Sequence, residues 1–343
     1  VLTLGAKVVS IAVTLWIAIV YRSYWSLIIG LLVGSLLSTL LSYVLRPYRP
    51  RISLARFSDI FGFSGWLSLT SVVTTLSMET DKIIVGRLLG LADAGLYFMT
   101  QKIGVLPTRE LISPLQRILF PSFSELSQDE VRLRRAVLES INVLGSLSLP
   151  AGFGFALVAS DFVPLALGEQ WTAIVPLLTI LVPYLGLRAT LSMTLPCVMA
   201  LGRTRLLFWV SFAYALVHLP LFIAGTALFG LLGAIWSIAL AGVLYSYLNA
   251  WLLQRTLGIS LREILRQLKR PLFAAFLMLG AVLALESVLP IDLVSEGPSW
   301  LSLLIKVSVG GTVYCSALYG LWRLDGRPAG IERRLLQVLK GSD

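Results

Sequence analysis

AIVPLLTILVPYLGLRATLSMTLPCVMAL, residues 173–201, decides how the chain is read, because Arg188 is the sole ionised side chain in the stretch. About 20 apolar residues let a helix cross the roughly 30 Å of hydrocarbon in a bilayer, so this segment predicts a transmembrane span. A guanidinium at that depth costs about 2.5 to 3.5 kcal/mol, and charged groups there turn toward a wet cavity or a partner rather than lipid. The segment holds no acid to neutralise it. An anion pathway is the leading expectation. The alternative is an arginine satisfied by carbonyls or by an acid on another helix.

The rest of the chain repeats the pattern. Of its 343 residues 57% are hydrophobic and only 13% charged, with a mean hydropathy of +0.86. Soluble domains carry about 25% charged residues. The composition therefore predicts an all-α, polytopic helical membrane protein. Apolar length places spans near 4–20, 25–45, 60–80, 92–114, 137–158, 173–201, 206–226, 229–253, 271–289 and 300–322, which makes about ten transmembrane helices. The chain opens with Val1 almost directly into a span, so a missing N-terminal portion is expected. Prolines at 107, 114, 176, 183, 196 and 220 predict kinks.

A net charge of +10 does not point to nucleic acid, because the basic residues follow the loops. Lys and Arg number four in 46–56, three in 132–135, two in 203–205, five in 255–270 and five in 323–340, nineteen in alternate connections. The opposite connections hold only Arg22, Lys82 and Arg87, and carry Asp161, Glu169, Asp292 and Glu296. The positive-inside rule makes the basic side cytoplasmic, with both termini of the chain on it. Cys197 and Cys315 lie within apolar spans and suit no disulfide framework. No metal-ligand spacing, cofactor motif or P-loop occurs, and no catalytic constellation is visible.

Charges at membrane depth are the candidate site. In DAGLYFMTQKIGVLPTRELISPLQRILFPSFSEL, residues 93–126, Lys102, Arg109, Ser113 and Gln116 recur at spacings of seven, four and three, one face of a continuous helix. Tyr184, Arg188 and Ser192 stand four apart and set a cation between two hydroxyls, an arrangement suited to phosphate oxygens. In METDKIIVGRLLG, residues 78–90, Glu79 and Lys82 are three apart and predict an ion pair that Asp81 or Arg87 joins; a coupling-ion site is the alternative. His218 is the single histidine and reads as a satisfied core residue before a proton relay. Lys7 and Lys306 either line a path or snorkel.

DKIIVGRLLGLADAGLYFMTQKI, RILFPSFSEL, ALGEQWTAIVPLLTIL and ALGRTRLLF resemble polysaccharide exporters and Wzx-type lipid-linked oligosaccharide flippases of the multidrug, oligosaccharidyl-lipid and polysaccharide superfamily. The resemblance covers about residues 50–270 well. It implies a fourteen-helix transporter of two six-helix lobes plus two further helices. Residues 1–45 then match the last two helices of the first lobe, with four helices absent. Residues 59–254 match the second lobe, and 260–343 the extra pair with a basic tail. It also implies export of an undecaprenyl-diphosphate-linked oligosaccharide across the bacterial inner membrane by alternating access, without enzymatic chemistry. Arg188, Lys102 and Arg109 would neutralise the diphosphate with Tyr184 and Ser192 beside them. Membrane lipids, a polysaccharide polymerase and glycosyltransferases are the implied partners. A multidrug antiporter of the same superfamily predicts an acidic cavity, whereas a membrane-embedded sugar ligase or polymerase predicts a large outer loop; neither is seen in the sequence.

Overall fold

The computed structural model describes residues 2–21, 25–45, 57–288 and 299–325. Arg22, the basic segment 46–56, Asp292, Glu296 and the basic residues beyond 325 lie outside the described residues. Every regular element among the described residues is helical. They are α1 (Leu2–Tyr21), α2 (Trp25–Leu45), α3 (Phe57–Leu88), α4 (Leu91–Gly104), α5 (Leu106–Glu125), α6 (Glu130–Leu167), a 3-10 segment (Glu169–Ile174), α7 (Val175–Thr190), α8 (Thr194–Ala200), α9 (Thr204–Leu257), α10 (Leu261–Val288) and α11 (Ser299–Leu324). Among the described residues, five segments are long and apolar enough to cross a membrane: Glu130–Leu167, Glu169–Ala200, Thr204–Leu257, Leu261–Ser287 and Trp300–Leu324.

The chain divides into two compact units, Val1–Phe57 and Ser58–Asp343. In the first, α1 and α2 pack through small residues: Ser10 Oγ donates to Gly30 O at 2.7 Å, and a Cβ added to Gly34 would sit 2.9 Å from Ser10 Cβ. Close approach of this kind gains dispersion energy that lipid does not supply.

In the second unit α6 is the central post, packed on α5, α7, α10 and α11. It crosses α7 at Gly152 and Gly186, where a Cβ on Gly152 would stand 2.9 Å from Val182 O and 3.0 Å from Gly186 Cα. At one end Phe123, Leu133, Val137, Ile141, Cys197, Leu253 and Ile264 form a common core from α5, α6, α8, α9 and α10. Tyr314 of α11 donates to Ser146 O of α6 at 2.9 Å, and Asn142 of α6 donates to Gln267 O of α10 at 2.9 Å.

Three spans differ from the sequence expectation, and the turn between the seventh and eighth falls where it was expected. The third span continues through METDKIIVGRL, so Glu79, Asp81, Lys82 and Arg87 are helical and the connection shrinks to Leu89 and Gly90, the latter at φ +96°. The fourth stretch bends at Val105, between α4 and α5. Pro107 has no N–H to offer the Ile103 carbonyl, so the α-helical ladder is interrupted there. The sixth stretch turns at 191–193 and resumes as α8. Spans seven and eight are the two arms of α9, reversed at Gly230 (φ 62°, ψ −145°), a conformation essentially confined to glycine. Gly225 and Gly233 let the arms touch, and Ser237 Oγ donates across them to Leu221 O at 3.0 Å.

The second arm of α9 shows how lipid and protein faces separate. Leu232, Trp236, Leu240, Val243, Tyr247 and Trp251 are exposed at helical spacing, whereas Ala234, Ile235, Ile238, Ala241 and Leu252 are buried. An apolar stripe left exposed at every third or fourth residue is a face for acyl chains.

Candidate functional site

Buried charge locates the site. Asp81 of α3 and His218 of α9 are 6% and 2% exposed. Burying an ionised carboxylate is expensive unless it is paired and hydrogen-bonded, and here the partner is the histidine. His218 Nε2 lies 3.1 Å from both Asp81 oxygens. Tyr97 of α4 reaches the same carboxylate with its hydroxyl at 3.5 Å, and Gln101 one turn on donates to that hydroxyl at 2.9 Å. The other ring nitrogen, Nδ1, is buried without a hydrogen-bond partner.

This pair forms part of the wall of a cavity of about 440 Å³ bounded by α3, α4, α7 and α9. Lys82, Lys102 and Arg188 line it with Glu79 and Asp81. Glu79 holds Lys82 at 2.8 Å, the ion pair expected from their spacing. Asp81 does not join that pair; it points to His218, because one residue along a helix turns a side chain by about 100°. Lys82 and Lys102 lie 5.8 and 6.0 Å from the Phe98 ring centre. Arg188 lies over the Tyr245 ring at 5.1 Å and beside the Tyr184 hydroxyl, with no hydrogen bond of good geometry between the last two. Neither Arg188 nor Lys102 is ion-paired to a carboxylate among the described residues. Tyr184 is seated by Gly242, where a Cβ would collide with its ring.

Aromatic rings connect the two halves of the wall. Tyr245 contacts Tyr214 at 4.9 Å, and Tyr214 stacks on His218 at 5.1 Å. The order along the wall is Arg188, Tyr245, Tyr214, His218 and Asp81.

Two expected members are elsewhere. Arg109 lies on α5 beyond the bend at Val105, 61% exposed in its side chain and bridged to Glu110 at 3.1 Å. The cavity that Lys102 lines does not include Arg109. Ser192 falls in the turn after α7, so it does not extend the Tyr184–Arg188 face. Its hydroxyl is buried without a partner, and its carbonyl receives Gln116 Nε2 of α5 at 3.5 Å. Lys306 lies in a second centre: it bridges Asp161 of α6 and Glu286 of α10, both at 2.7 Å, and lines another cavity of about 320 Å³.

Sequence reasoning missed the pairing of Asp81 with His218, and it missed Tyr97, Gln101, Tyr214 and Tyr245. The available signal was the pair itself, an acid and the single histidine, each at membrane depth in different spans.

Comparison with known proteins adds the family. A family model described as polysaccharide biosynthesis protein matches residues 1–176. The chain is 29% identical over 280 residues to lipopolysaccharide biosynthesis protein WzxC of Escherichia coli (strain K12), covering 79% of this chain and 57% of that protein. It is 28% identical over 187 residues to succinoglycan biosynthesis transport protein ExoT of Rhizobium meliloti (strain 1021), covering 54% and 38%. Among solved structures, lipid II flippase MurJ in its inward closed conformation superposes with a TM-score of 0.69 at 16% identity, over 93% of this chain and 67% of that one. The fold is therefore that of a MurJ-like polytopic membrane protein, and the chain spans 57% of the length of WzxC. With half of its length matched by that model, the chain belongs to the polysaccharide biosynthesis protein family.

Proposed function

We propose that the chain works in a flippase that carries an undecaprenyl-diphosphate-linked oligosaccharide from the cytoplasmic to the outer leaflet of a bacterial inner membrane. The observation that carries this reading is the pair of cations, Arg188 and Lys102, that line one cavity at membrane depth with no carboxylate partner among the described residues. Cations in a low-dielectric cavity attract an anionic headgroup far more strongly than they would in water. Arg188 offers a planar fork of donors suited to phosphate, and Lys102 a mobile point charge. Tyr184 stands beside the first. The exposed apolar faces leave a lipid tail free to remain among acyl chains while the headgroup crosses.

In this reading residues 59–254 form a six-helix lobe, 1–45 the end of the opposing lobe, and 260–343 an additional pair. Both termini of the chain face the cytoplasm, where the basic connections lie. Rocking of the lobes exposes the cavity alternately to either side. The names of WzxC and ExoT, a lipopolysaccharide biosynthesis protein and a succinoglycan transport protein, support polysaccharide export as the setting. Glycosyltransferases that build the cargo and a polymerase that consumes it are the partners this role requires.

Reconstituted full-length protein tests it by flipping of a fluorescent lipid-diphosphate oligosaccharide. Arg188→Ala with Lys102→Ala should lower the rate at least tenfold, while Arg109→Ala should leave it within twofold. Wild-type flipping by the double variant would overturn the assignment.

A further inference from the structure

The cavity beside Lys306 takes no part in holding the diphosphate. It lies between α6, α10 and α11 with mostly apolar walls, among them Phe155, Val158, Met278, Val282 and Val307, and Lys306 stands at its rim. We propose that it holds one acyl chain of an outer-leaflet phospholipid whose headgroup bears a primary ammonium, phosphatidylethanolamine, with that ammonium against Glu286 and Asp161. The site goes beyond the cargo reading, and only the choice of leaflet rests on the orientation given above.

Depth is the first reason. On α11 the lining runs from Lys306 to Cys315, a rise of about 14 Å. Half of the roughly 30 Å of hydrocarbon is about 15 Å, so the cavity is as deep as one leaflet. Asp161 lies near the Leu167 end of α6, Glu286 near the Val288 end of α10 and Lys306 near the Ser299 end of α11. All three charges therefore stand at the end of the bundle opposite the basic connections, and the cavity extends from them toward the middle of the membrane. Val307, Gly311 and Cys315 are exposed along it, so a chain can enter sideways from lipid. One acyl chain suits that depth, whereas an undecaprenyl chain is several times too long.

Charge is the second. Asp161 and Glu286 each reach the Lys306 ammonium through a single oxygen, so two carboxylates share one cation and the cluster is left at −1. The Glu286 side chain is 40% exposed, which opens it to a donor from outside. A primary ammonium supplies the missing positive charge and N–H groups for the carboxylates, and such charge-assisted bonds are the strong kind. Phosphatidylglycerol, or a prenyl phosphate, brings negative charge to a cluster that is already negative, and the low dielectric beside hydrocarbon magnifies that repulsion. The choline of phosphatidylcholine carries the charge without an N–H and should rank between.

Native mass spectrometry of delipidated full-length protein provides the test, with dioleoyl phosphatidylethanolamine, phosphatidylcholine and phosphatidylglycerol added one at a time. An ion pair at a partly exposed carboxylate is worth up to about fivefold, so wild type should hold phosphatidylethanolamine about fivefold more tightly than phosphatidylglycerol. Glu286→Gln leaves Lys306 paired with Asp161 and takes the cluster to zero, and it should remove that preference. A Cβ on Gly311 would meet nothing within 4 Å, so Gly311→Leu puts its side chain into open space at the lining and should weaken all three lipids. Phosphatidylethanolamine with a diazirine on its acyl chain should crosslink to α10 between Met278 and Val282 and to α11 between Val307 and Cys315. Phosphatidylglycerol held as tightly as phosphatidylethanolamine by wild type, crosslinks confined to other helices, or displacement of phosphatidylethanolamine by equimolar undecaprenyl phosphate overturns the site. Flipping by the Arg188 and Lys102 variants is a separate readout, so this site and the cargo cavity stand or fall independently.

Discussion

At the scale of single residues, the cavity depends on positions that carry no charge. Gly242 leaves room for the Tyr184 ring, so Gly242→Val should displace that ring from Arg188. Overpacking costs about 1 to 3 kcal/mol, and a lower Tm together with weaker binding of the diphosphate probe is the expected outcome. Lys306 tells the complementary story about charge. Its ammonium is 12% exposed and satisfies Asp161 and Glu286 together, so Lys306→Met strands two carboxylates within the packing of α6, α10 and α11. Removing one partner from a buried pair costs about 3 kcal/mol, measured by unfolding in detergent. A triple variant with Asp161→Asn and Glu286→Gln in addition should recover most of the loss. The identity of these residues was legible in the sequence as charges inside apolar spans. Their partners were not, because Lys306 and Asp161 are 145 residues apart and meet only when three helices pack.

At the scale of elements, apolar length located the helices well, since it measures what each segment must satisfy by itself in lipid. Breaks within them were harder to place. Proline at 107 removes one donor where α4 gives way to α5, between Lys102 and Arg109. The turn at 191–193 removes Ser192 from the face of Arg188 in the same way. The turn between the spans at 206–226 and 229–253 was legible, and it falls at Gly230, with φ +62° at the reversal of α9. Gly230→Ala should cost about 1 to 3 kcal/mol of stability, because the added Cβ opposes that backbone conformation although it meets no neighbour within 4 Å. Thermal unfolding of the variant, with unchanged helical content at low temperature, checks this. At the α6–α7 crossing the cost should be larger. Gly152→Leu forces backbone from backbone, and loss of folded protein during purification is expected.

At the scale of the whole molecule, loop charge predicts an orientation that labelling can check. In a background of Cys197→Ala and Cys315→Ala, Ser127→Cys should react with an impermeant maleimide only from the cytoplasmic side, and Gln170→Cys only from the outside. The reverse pattern would overturn the cytoplasmic assignment of the basic connections. What the sequence by itself determined was the class of solvent, the run of helices and the presence of cations at depth. Those follow from hydropathy and charge summed over about 20 residues, quantities that need no neighbours. Only the tertiary structure decided that Arg188 and Lys102 share one cavity while Arg109 is exposed and paired with Glu110, and that Asp81 closes on His218 instead of Lys82. A spacing rule reports a common face only while the hydrogen-bond ladder is continuous, and helix rotation is set by packing against other helices. Which charges meet is therefore a property of the assembled bundle.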